Sequence, residues 1–378
     1  MDEIQIAKKL IEIESISPED NGCFDVIKSE LKDLKFKFEQ IDYLNIKNLI
    51  IHRESHQKKT FCFLGHTDVV PTGPEELWSS PPFEPTIRNE KLFGRGAADM
   101  KGGIASFIAA TKEFLKEVDE PNFNLMLLFN SNEEGKMENG KIDKLISMFI
   151  DKKKFIDYCL IGEPSSLKQV GDIMRVGRRG SLSGELTFYG KQGHVAYPHQ
   201  VKNPIHFIAG CISELTSKNW DAGNDNFDPT SFQISNISAG TGASNVVPGQ
   251  LKMTFNFRFS PLSTPESLKL EFEKIISSSG LKFEINWSLN ALPFLTEENF
   301  FIDLVMQSVQ SVTGKKPIID NGGGTSDGRW IAPMGSEIVE LGPKNKTIHQ
   351  VDECVDLEEL ATLKAIYKQI LLKVHQSC

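Results

Sequence analysis

Through residue 162 the chain alternates between two hydrophobic periods. Residues 3–14 and 24–35 place apolar side chains at helical spacing, with Ile27, Leu31 and Leu34 on one face. Short apolar runs at 47–51 and 61–64 predict strands. A helix near 101–117, a strand at 123–130, a helix near 141–150 and a strand at 158–162 follow. Helices set between short, wholly apolar strands predict an α/β domain with a largely buried sheet.

The middle of the chain has a different pattern. "SGELTFYG" reads as a strand, 203–217 as a helix and "TSFQISNIS" as a strand. "LKMTFNFRFS" alternates cleanly: Leu251, Met253, Phe255, Phe257 and Phe259 share one face, while Lys252, Thr254, Asn256 and Arg258 share the other. Thr264 followed by Pro265 marks a helix start, and "LKFEINWS" alternates again. The order β-α-β-β-α-β, apolar on one face, predicts a ferredoxin-like α+β module over 178–291. Residues 292–378 give a helix, a glycine-rich loop, the strand "SEIVEL" and a last helix from about 356. That is short for a separate core, so the expected division is 1–177 with 292–378, and an inserted domain over 178–291.

Composition narrows the function class. The 378 residues suggest about two domains, and 39% hydrophobic with 25% charged residues is ordinary for a globular protein. A net charge of -9, without a Lys/Arg block, argues against nucleic acid as partner. Residues 1–20 are charged throughout and read as a helix rather than a signal peptide, and no apolar run approaches a membrane span. The six cysteines are scattered, with neither zinc-finger spacing nor a disulfide framework. A reducing cytoplasm is the expectation.

Acidic residues and histidines gather at strand ends. The strand before "GHTDVVPTG" runs into His66 and Asp68, which share a face in extended chain. A ligand histidine needs its second ring nitrogen held, commonly by a carboxylate; a capped turn explains the same pair. "GRGAADMKGG" sets Asp99 among very small residues before a helix, as a cation ligand or a helix cap. The strand "NLMLLFN" leads to Glu133 and Glu134. "LIGEPSS" carries Glu163, and "NKTIHQVDECV" carries His349. Together His66, Asp99, Glu134, Glu163 and His349 would meet at the carboxyl edge of one sheet, where α/β proteins place their sites. Nitrogen and oxygen donors without thiolate suit zinc, with cobalt or manganese as alternatives. Five ligands exceed one catalytic zinc and fit two metals if one carboxylate bridges. Neighbours in extended chain point apart, so one of Glu133 and Glu134 would bind metal while the other handles a proton. "GTSDG", 324–328, matches a nucleophile elbow, but "RWIAPMG" follows where a helix is required.

"GHTDVVPTG", "GRGAADMKGG", "EEG", "GEPSS" and the late "IH" resemble, in order, the motifs of the dinuclear zinc aminoacylase/carboxypeptidase family. "WSSPPF", "GRRGSLSG", "QGHVAYPH", "NPIH", "GTGASNVVPG", "GGGTSDGR" and "TIHQVDECV" extend the resemblance over nearly the whole chain. It implies a zinc-peptidase-like catalytic domain with a mixed sheet flanked by helices, plus an inserted ferredoxin-like dimerisation domain. It also implies two zinc ions per subunit, with cobalt an alternative in one site, in a homodimer. Asp99 would bridge, His66 and Glu163 would complete one metal, and Glu134 and His349 the other. Glu133 would be the general base and Asp68 would support His66. His194 would act in the partner subunit's site. Arg178, Ser181, Tyr197, Asn245, Arg258, Gly324, Thr325 and Asn345 match positions lining the substrate pocket. The family often shows two asparagines before the valine of "NVVP"; here Ser244 precedes Asn245, which leaves one polar contact open.

The branch resembled most implies hydrolysis of N-succinyl-L,L-2,6-diaminopimelate on the route to lysine and peptidoglycan precursors. That substrate carries three carboxylates, which Arg178 and Arg258 could clamp bidentately. A solvated strand face is the alternative for Arg258. A related dizinc deacylase or carboxypeptidase would share the metals, and a non-catalytic binding protein would have no need of Glu133.

Overall fold

The computed structural model describes residues 1–56, 59–135, 142–151, 155–297 and 299–377. Cys378, and position 141 at the expected start of one helix, lie outside them. The chain divides into two units: Met1–Gly177, Leu295–Asp320 and Ser326–Cys378 form the first, Arg178–Phe294 and Asn321–Thr325 the second. This corrects the expected assignment of all of 292–378 to the first domain. The glycine-rich loop groups with the second unit because Arg178 Nη1 donates to the carbonyls of Gly322 and Gly324, each at 3.2 Å. Asn321 Nδ2 also donates to the carbonyl of Asn226 at 3.1 Å.

The first unit is built on a six-stranded mixed sheet, in the order Lys37–Tyr43, Ile46–Arg53, Asn124–Asn130, Thr60–His66, Tyr158–Ile161, Glu337–Glu340. The last four are mutually parallel; Ile46–Arg53 runs antiparallel to both its neighbours. The central strands read as unbroken apolar runs because they are covered on both faces: all seven residues of Thr60–His66 are buried. Lys37–Tyr43 has no such run. It lies at the sheet edge with mostly exposed side chains, so its sequence lacks the apolar signal of a strand.

Helix Gly102–Glu117 is central to the core, with Ile104, Phe107, Ile108 and Phe114 wholly buried. Phe63 stacks on Phe107 with ring centroids 4.0 Å apart, and Tyr367 of helix Leu357–Ser377 meets Phe107 edge-on at 5.5 Å. Among the described residues no helix is long and apolar enough to cross a membrane.

The second unit has a four-stranded antiparallel sheet in the order Ser231–Ala239, Gln250–Phe259, Gly180–Tyr189, Lys282–Ala291. With helices Pro204–Ser217 and Pro265–Ser277 this is the ferredoxin-like βαββαβ arrangement. The alternation in Gln250–Phe259 is realised: Leu251, Met253, Phe255, Phe257 and Phe259 are buried in one cluster with Leu268 and Phe272. Thr264 and Ser267 form a reciprocal capping box at the start of Pro265–Ser277.

Asp221 ties this unit together. Its carboxylate accepts from Ser263 Oγ at 2.6 Å, Ser260 Oγ at 3.0 Å, the Thr230 hydroxyl, and the N–H groups of Thr230 and Gly223 at 2.9 and 3.0 Å. Partial burial opposes its charge, but the Ser263 and Thr230 donors outweigh this and hold the carboxyl down at about 2. Asp221→Ala is expected to lower unfolding free energy by about 1–3 kcal/mol at neutral pH. The folded pKa lies below the unfolded value of about 4. The stabilisation is therefore complete above about pH 4 and fades as pH falls through about 2. Denaturant unfolding of wild type and variant at about pH 7 and about pH 3 checks this, since the gap should narrow on acidification.

Candidate active site

The parallel strands deliver their carboxyl ends to one edge of the first sheet. His66 is the last residue of its strand, Glu133 and Glu134 follow Asn124–Asn130, and Glu163 follows Tyr158–Ile161. Asp99 comes from a π-type turn, Ala97–Lys101, that opens helix Gly102–Glu117. His349 comes from the loop before Cys354–Asp356. Two glycines make the approach feasible. Gly96 has φ +83°, and a Cβ there would lie 2.6 Å from Val69 Cγ1. A Cβ on Gly103 would lie 2.7 Å from the carbonyl oxygen of Gly162, so the helix start packs directly on the backbone leading to Glu163.

Among the described residues three groups bring their ligand atoms within 4.8 Å of one another: His66, Asp99 and Glu163; Asp99, Glu134 and His349; and His66, Glu133 and Glu134. Asp99 belongs to two of them. Its Oδ1 is 3.3 Å from His66 Nε2, and its Oδ2 is 3.3 Å from His349 Nε2. Glu163 Oε1 is 3.5 Å from His66 Nε2, and Glu134 Oε1 is 2.7 Å from His349 Nε2.

The tautomer of His66 gives a test of whether these residues fit a metal. Its Nδ1 lies 2.9 Å from the backbone carbonyl of Asp68, which can only accept, so Nδ1 carries a proton. In the neutral imidazole Nε2 is then a bare lone pair facing two carboxylates. Among the described residues, His66 Nε2 and Asp99 Oδ1 are buried and make no hydrogen bond. A proton or a divalent cation between them relieves this opposition, and the nitrogen and oxygen donor set suits a metal pair sharing Asp99.

The charges bear the same mark. Burial opposes protonation of His66, but Asp99 and Glu163 hold its pKa well above the usual value. Asp99, and then Glu134, push His349 up to about 10. Burial and the Asp99 charge push Glu163 up to about 7. Asp99 stays well below the carboxylate range, because the neighbouring imidazoles of His349 and His66 outweigh its burial.

Two expectations need correction. The His66 Nδ1 partner is the main-chain carbonyl of Asp68; the Asp68 carboxylate is farther away, at 3.6 Å. That carboxylate instead accepts from the N–H groups of Glu133 and Glu134, at 3.0 and 3.1 Å. Consequently Glu133 and Glu134 do not point apart as strand neighbours. The strand ends at Asn130, Asp68 holds both N–H groups in a bend, and both carboxylates reach towards His66. Burial, then the charges of Glu163 and Asp327, push the Glu133 carboxyl well above its usual pKa.

The "GTSDG" segment does enter a helix, the four-residue Gly328–Ile331. Ser326 is nevertheless no nucleophile: it is buried, and its hydroxyl donates to the Glu340 carboxylate. Residues 326–329, which belong to the first unit, supply a wall beside Glu133 instead. Arg329 Nη1 is 3.9 Å from Glu133 Oε1, and the Asp327 carboxylate accepts from Asn130 Nδ2.

The residues matched to substrate contacts divide between the units. Asn345 is in the first, on a loop whose backbone N–H reaches the carbonyl of Ser166 at 3.0 Å. The others are in the second. Ser181 and Arg258 are direct cross-strand partners, and Asn256 Nδ2 donates to Ser181 Oγ at 3.0 Å. Arg178 is buried beneath the loop that carries Gly324 and Thr325. His194 and Tyr197 are exposed with ring centroids 5.8 Å apart, and Asn245 accepts from the Val195 N–H at 3.1 Å through its carbonyl. His194 Nδ1 accepts from the Ala196 N–H at 3.1 Å, so its neutral ring carries the proton on Nε2, as an outward donor.

Sequence reading missed Glu353 and Arg95, which are buried beside Asp99, as well as Arg329. Arg95 interrupts a run of glycine and alanine, and Glu353 stands four residues after His349. Charged residues in such places are the one signal that could have exposed them.

The model of peptidase family M20/M25/M40 matches residues 62–373. The succinyl-diaminopimelate desuccinylase of Methylococcus capsulatus is 49% identical over 370 residues, covering 98% of each chain. That of Alkalilimnicola ehrlichii is 46% identical over 371 residues, again covering 98% of each. Among solved structures, an M20 family metallo-carboxypeptidase from Sulfolobus solfataricus superposes with a TM-score of 0.84 at 20% identity, covering 100% of both chains. Human carnosine dipeptidase 1 gives 0.78 at 18%, covering 99% of this chain and 96% of that one. At such identities the likeness concerns the fold.

Proposed function

This chain belongs to peptidase family M20/M25/M40, and from that premise we propose that it hydrolyses N-succinyl-L,L-2,6-diaminopimelate to succinate and L,L-2,6-diaminopimelate. The step serves lysine and peptidoglycan precursor synthesis. The substrate is supported by near-full-length relatives of that name at 49% and 46% identity. The observation that carries the chemistry is the sharing of Asp99 between two ligand groups, with Glu133 alongside.

In this reading His66, Asp99 and Glu163 would hold one zinc ion, and Asp99, Glu134 and His349 would hold the other, with cobalt an alternative in one site. When bound, the pair lowers the pKa of a water to about 7 and polarises the scissile carbonyl. Glu133 takes a proton as the water oxygen bonds to the succinyl carbon. The C–N bond then breaks, and Glu133 returns the proton to the departing nitrogen. His194 of the partner subunit donates Nε2–H to the carbonyl oxygen as it gains charge. Asp68 keeps Glu133 in place through its backbone N–H. Arg178, Ser181, Tyr197, Asn245, Arg258, Gly324, Thr325 and Asn345 line the substrate site, with Arg258 beside Ser181 meeting the distal carboxylate. The enzyme works as a cytoplasmic homodimer, a compartment that suits the free thiols of Cys23, Cys62, Cys159, Cys211 and Cys354.

A panel of N-acyl amino acids and dipeptides, assayed with zinc by amine release, tests the reaction. The highest kcat/KM is expected for the succinyl diaminopimelate, and a preference for acetylated amino acids or dipeptides would overturn the assignment. The N-butyryl analogue isolates the distal charge. It is nearly isosteric, yet gives up the charge-assisted contact that Arg258 would make with that carboxylate, so kcat/KM is expected to fall by at least about 10²-fold. Comparable values for the two substrates would mark a generic deacylase.

A further inference from the structure

We propose that Glu353 is the positioning residue that sets the placement of Asp99, and through it the affinity of both metal sites. The inference rests on the dinuclear reading above and adds a residue that binds no metal.

Glu353 is 1% exposed, and its carboxylate is saturated with donors from one short loop. Oε1 accepts from the N–H groups of Ala98 and Asp99, at 2.9 and 3.0 Å. Oε2 accepts from the Gly96 N–H at 3.0 Å and from Arg95 Nη1 at 2.7 Å. Three backbone N–H groups converge because Gly96 takes a left-handed φ of +83°, which folds residues 96–99 into a concave anion seat. Burial pushes the Glu353 carboxyl up, against the pull of these donors. Both oxygens face the loop, and Glu353 is in none of the ligand groups. Its contact is with the backbone of the shared ligand.

Arg95 extends the restraint to neighbouring ligand loops. Its Nη1 also donates to the carbonyl of Gln350 at 3.2 Å, next to His349. Its Nη2 donates to the carbonyls of Pro71 and Thr72, at 3.2 and 3.3 Å, in the segment that leaves His66 and Asp68. The guanidinium lies 5.1 Å from the Trp78 ring, whose Nε1–H donates to the Thr72 carbonyl at 3.0 Å. The Gly94 N–H donates to the Glu353 carbonyl at 3.0 Å. One buried ion pair thus joins the segments that carry His66, Asp99 and His349, although Asp99 and His349 are far apart in sequence. Asp99 serves both ligand groups, with Oδ1 3.3 Å from His66 Nε2 and Oδ2 3.3 Å from His349 Nε2, so a small shift of its backbone would disturb both. Partners of this kind typically contribute about 10- to 100-fold in metal affinity.

The test is titration of metal-free full-length protein with cobalt(II), followed by calorimetry and by the visible d–d bands, which report coordination geometry. Wild type is expected to bind two ions per chain. In Glu353→Gln the amide –NH2 meets the Gly96 N–H and the Arg95 guanidinium donor to donor. Both binding events are expected to weaken by about 10- to 100-fold, with shifted d–d bands. Glu353→Asp keeps the charge but withdraws it by one methylene; it should also lose affinity, and it carries the test if the Gln variant does not fold. Tyr367→Phe serves as the stability control. It removes a buried 2.6 Å bond to the Leu341 carbonyl in the same unit, a bond in which no ligand side chain takes part. It should lower the melting temperature while leaving cobalt affinity within about twofold of wild type. Wild-type affinity in the Glu353 variants, or an equal loss in Tyr367→Phe, overturns the inference and leaves the dinuclear reading standing. Failure of wild type to bind two ions removes that reading, and the inference with it.

Discussion

Glu133→Gln is expected to retain both metal ions and to lose about 10²- to 10⁴-fold in kcat. The amide keeps the size of the carboxylate, and the Glu133 N–H bond to Asp68 does not involve the side chain. Only the proton acceptor disappears. Burial and the neighbouring charges of Glu163 and Asp327 raise the proton affinity of this carboxyl, which suits a group that must take a proton and give it back. Glu134→Gln is expected to fail differently. Glu134 Oε1 stands 2.7 Å from His349 Nε2, in the group that shares Asp99, so its loss should weaken one metal site first. The contrast is decisive because Glu133, Glu134 and His66 also form a compact group, which makes a reversed assignment physically feasible. Metal content after gentle purification, measured beside single-turnover rates, separates the two. Metal loss with an unchanged rate in Glu133→Gln would reverse the roles.

The elements and ligands legible in the sequence were those whose signal is local. Leu251 to Phe259 alternate because one face of their strand is buried, and that period survives into the structure unchanged. The apolar runs at 61–64 and 158–162 mark strands covered on both faces, so the residues just beyond them, His66 and Glu163, could be assigned to a sheet edge. Asp99, set among very small residues before a helix, and His349, in the loop before the last helix, joined them on the same reasoning, and the resemblance then assigned the role of each. What stayed hidden depends on contacts between distant segments. The Asp68 carboxylate turns from His66 to the N–H groups of Glu133 and Glu134, sixty-five and sixty-six residues on. Glu353 reaches Ala98 and Asp99 across about 255 residues. A carboxylate in a seat of backbone N–H groups leaves no periodic trace, since its partners carry no side-chain signature. The strand Lys37–Tyr43 escaped for the opposite reason: an edge strand with two solvated faces has almost no apolar pattern to read.

Mixing two crippled proteins, His194→Ala and Glu133→Gln, is expected to restore activity that neither has alone. The argument begins with charge. As the succinyl carbonyl is attacked, its oxygen becomes negative and needs a donor at hydrogen-bond distance; losing one such donor costs about 10²- to 10³-fold in rate. His194 has the right tautomer, because the Ala196 N–H occupies Nδ1 and leaves the proton on Nε2. It belongs to the second unit, while Glu133 and the ligand residues belong to the first. If His194 acts in the partner subunit's site, as proposed, a heterodimer of the two variants distributes the defects unevenly. One site combines the first unit of His194→Ala with the second unit of Glu133→Gln and lacks neither residue. The other site lacks both. Up to half of wild-type activity per heterodimer should return if the sites act independently, and the gain should follow the kinetics of subunit exchange. Exchange verified by differently tagged chains, with no recovery of rate, would refute the shared site. So would a monomer with full activity, since a lone chain has no partner to supply the donor.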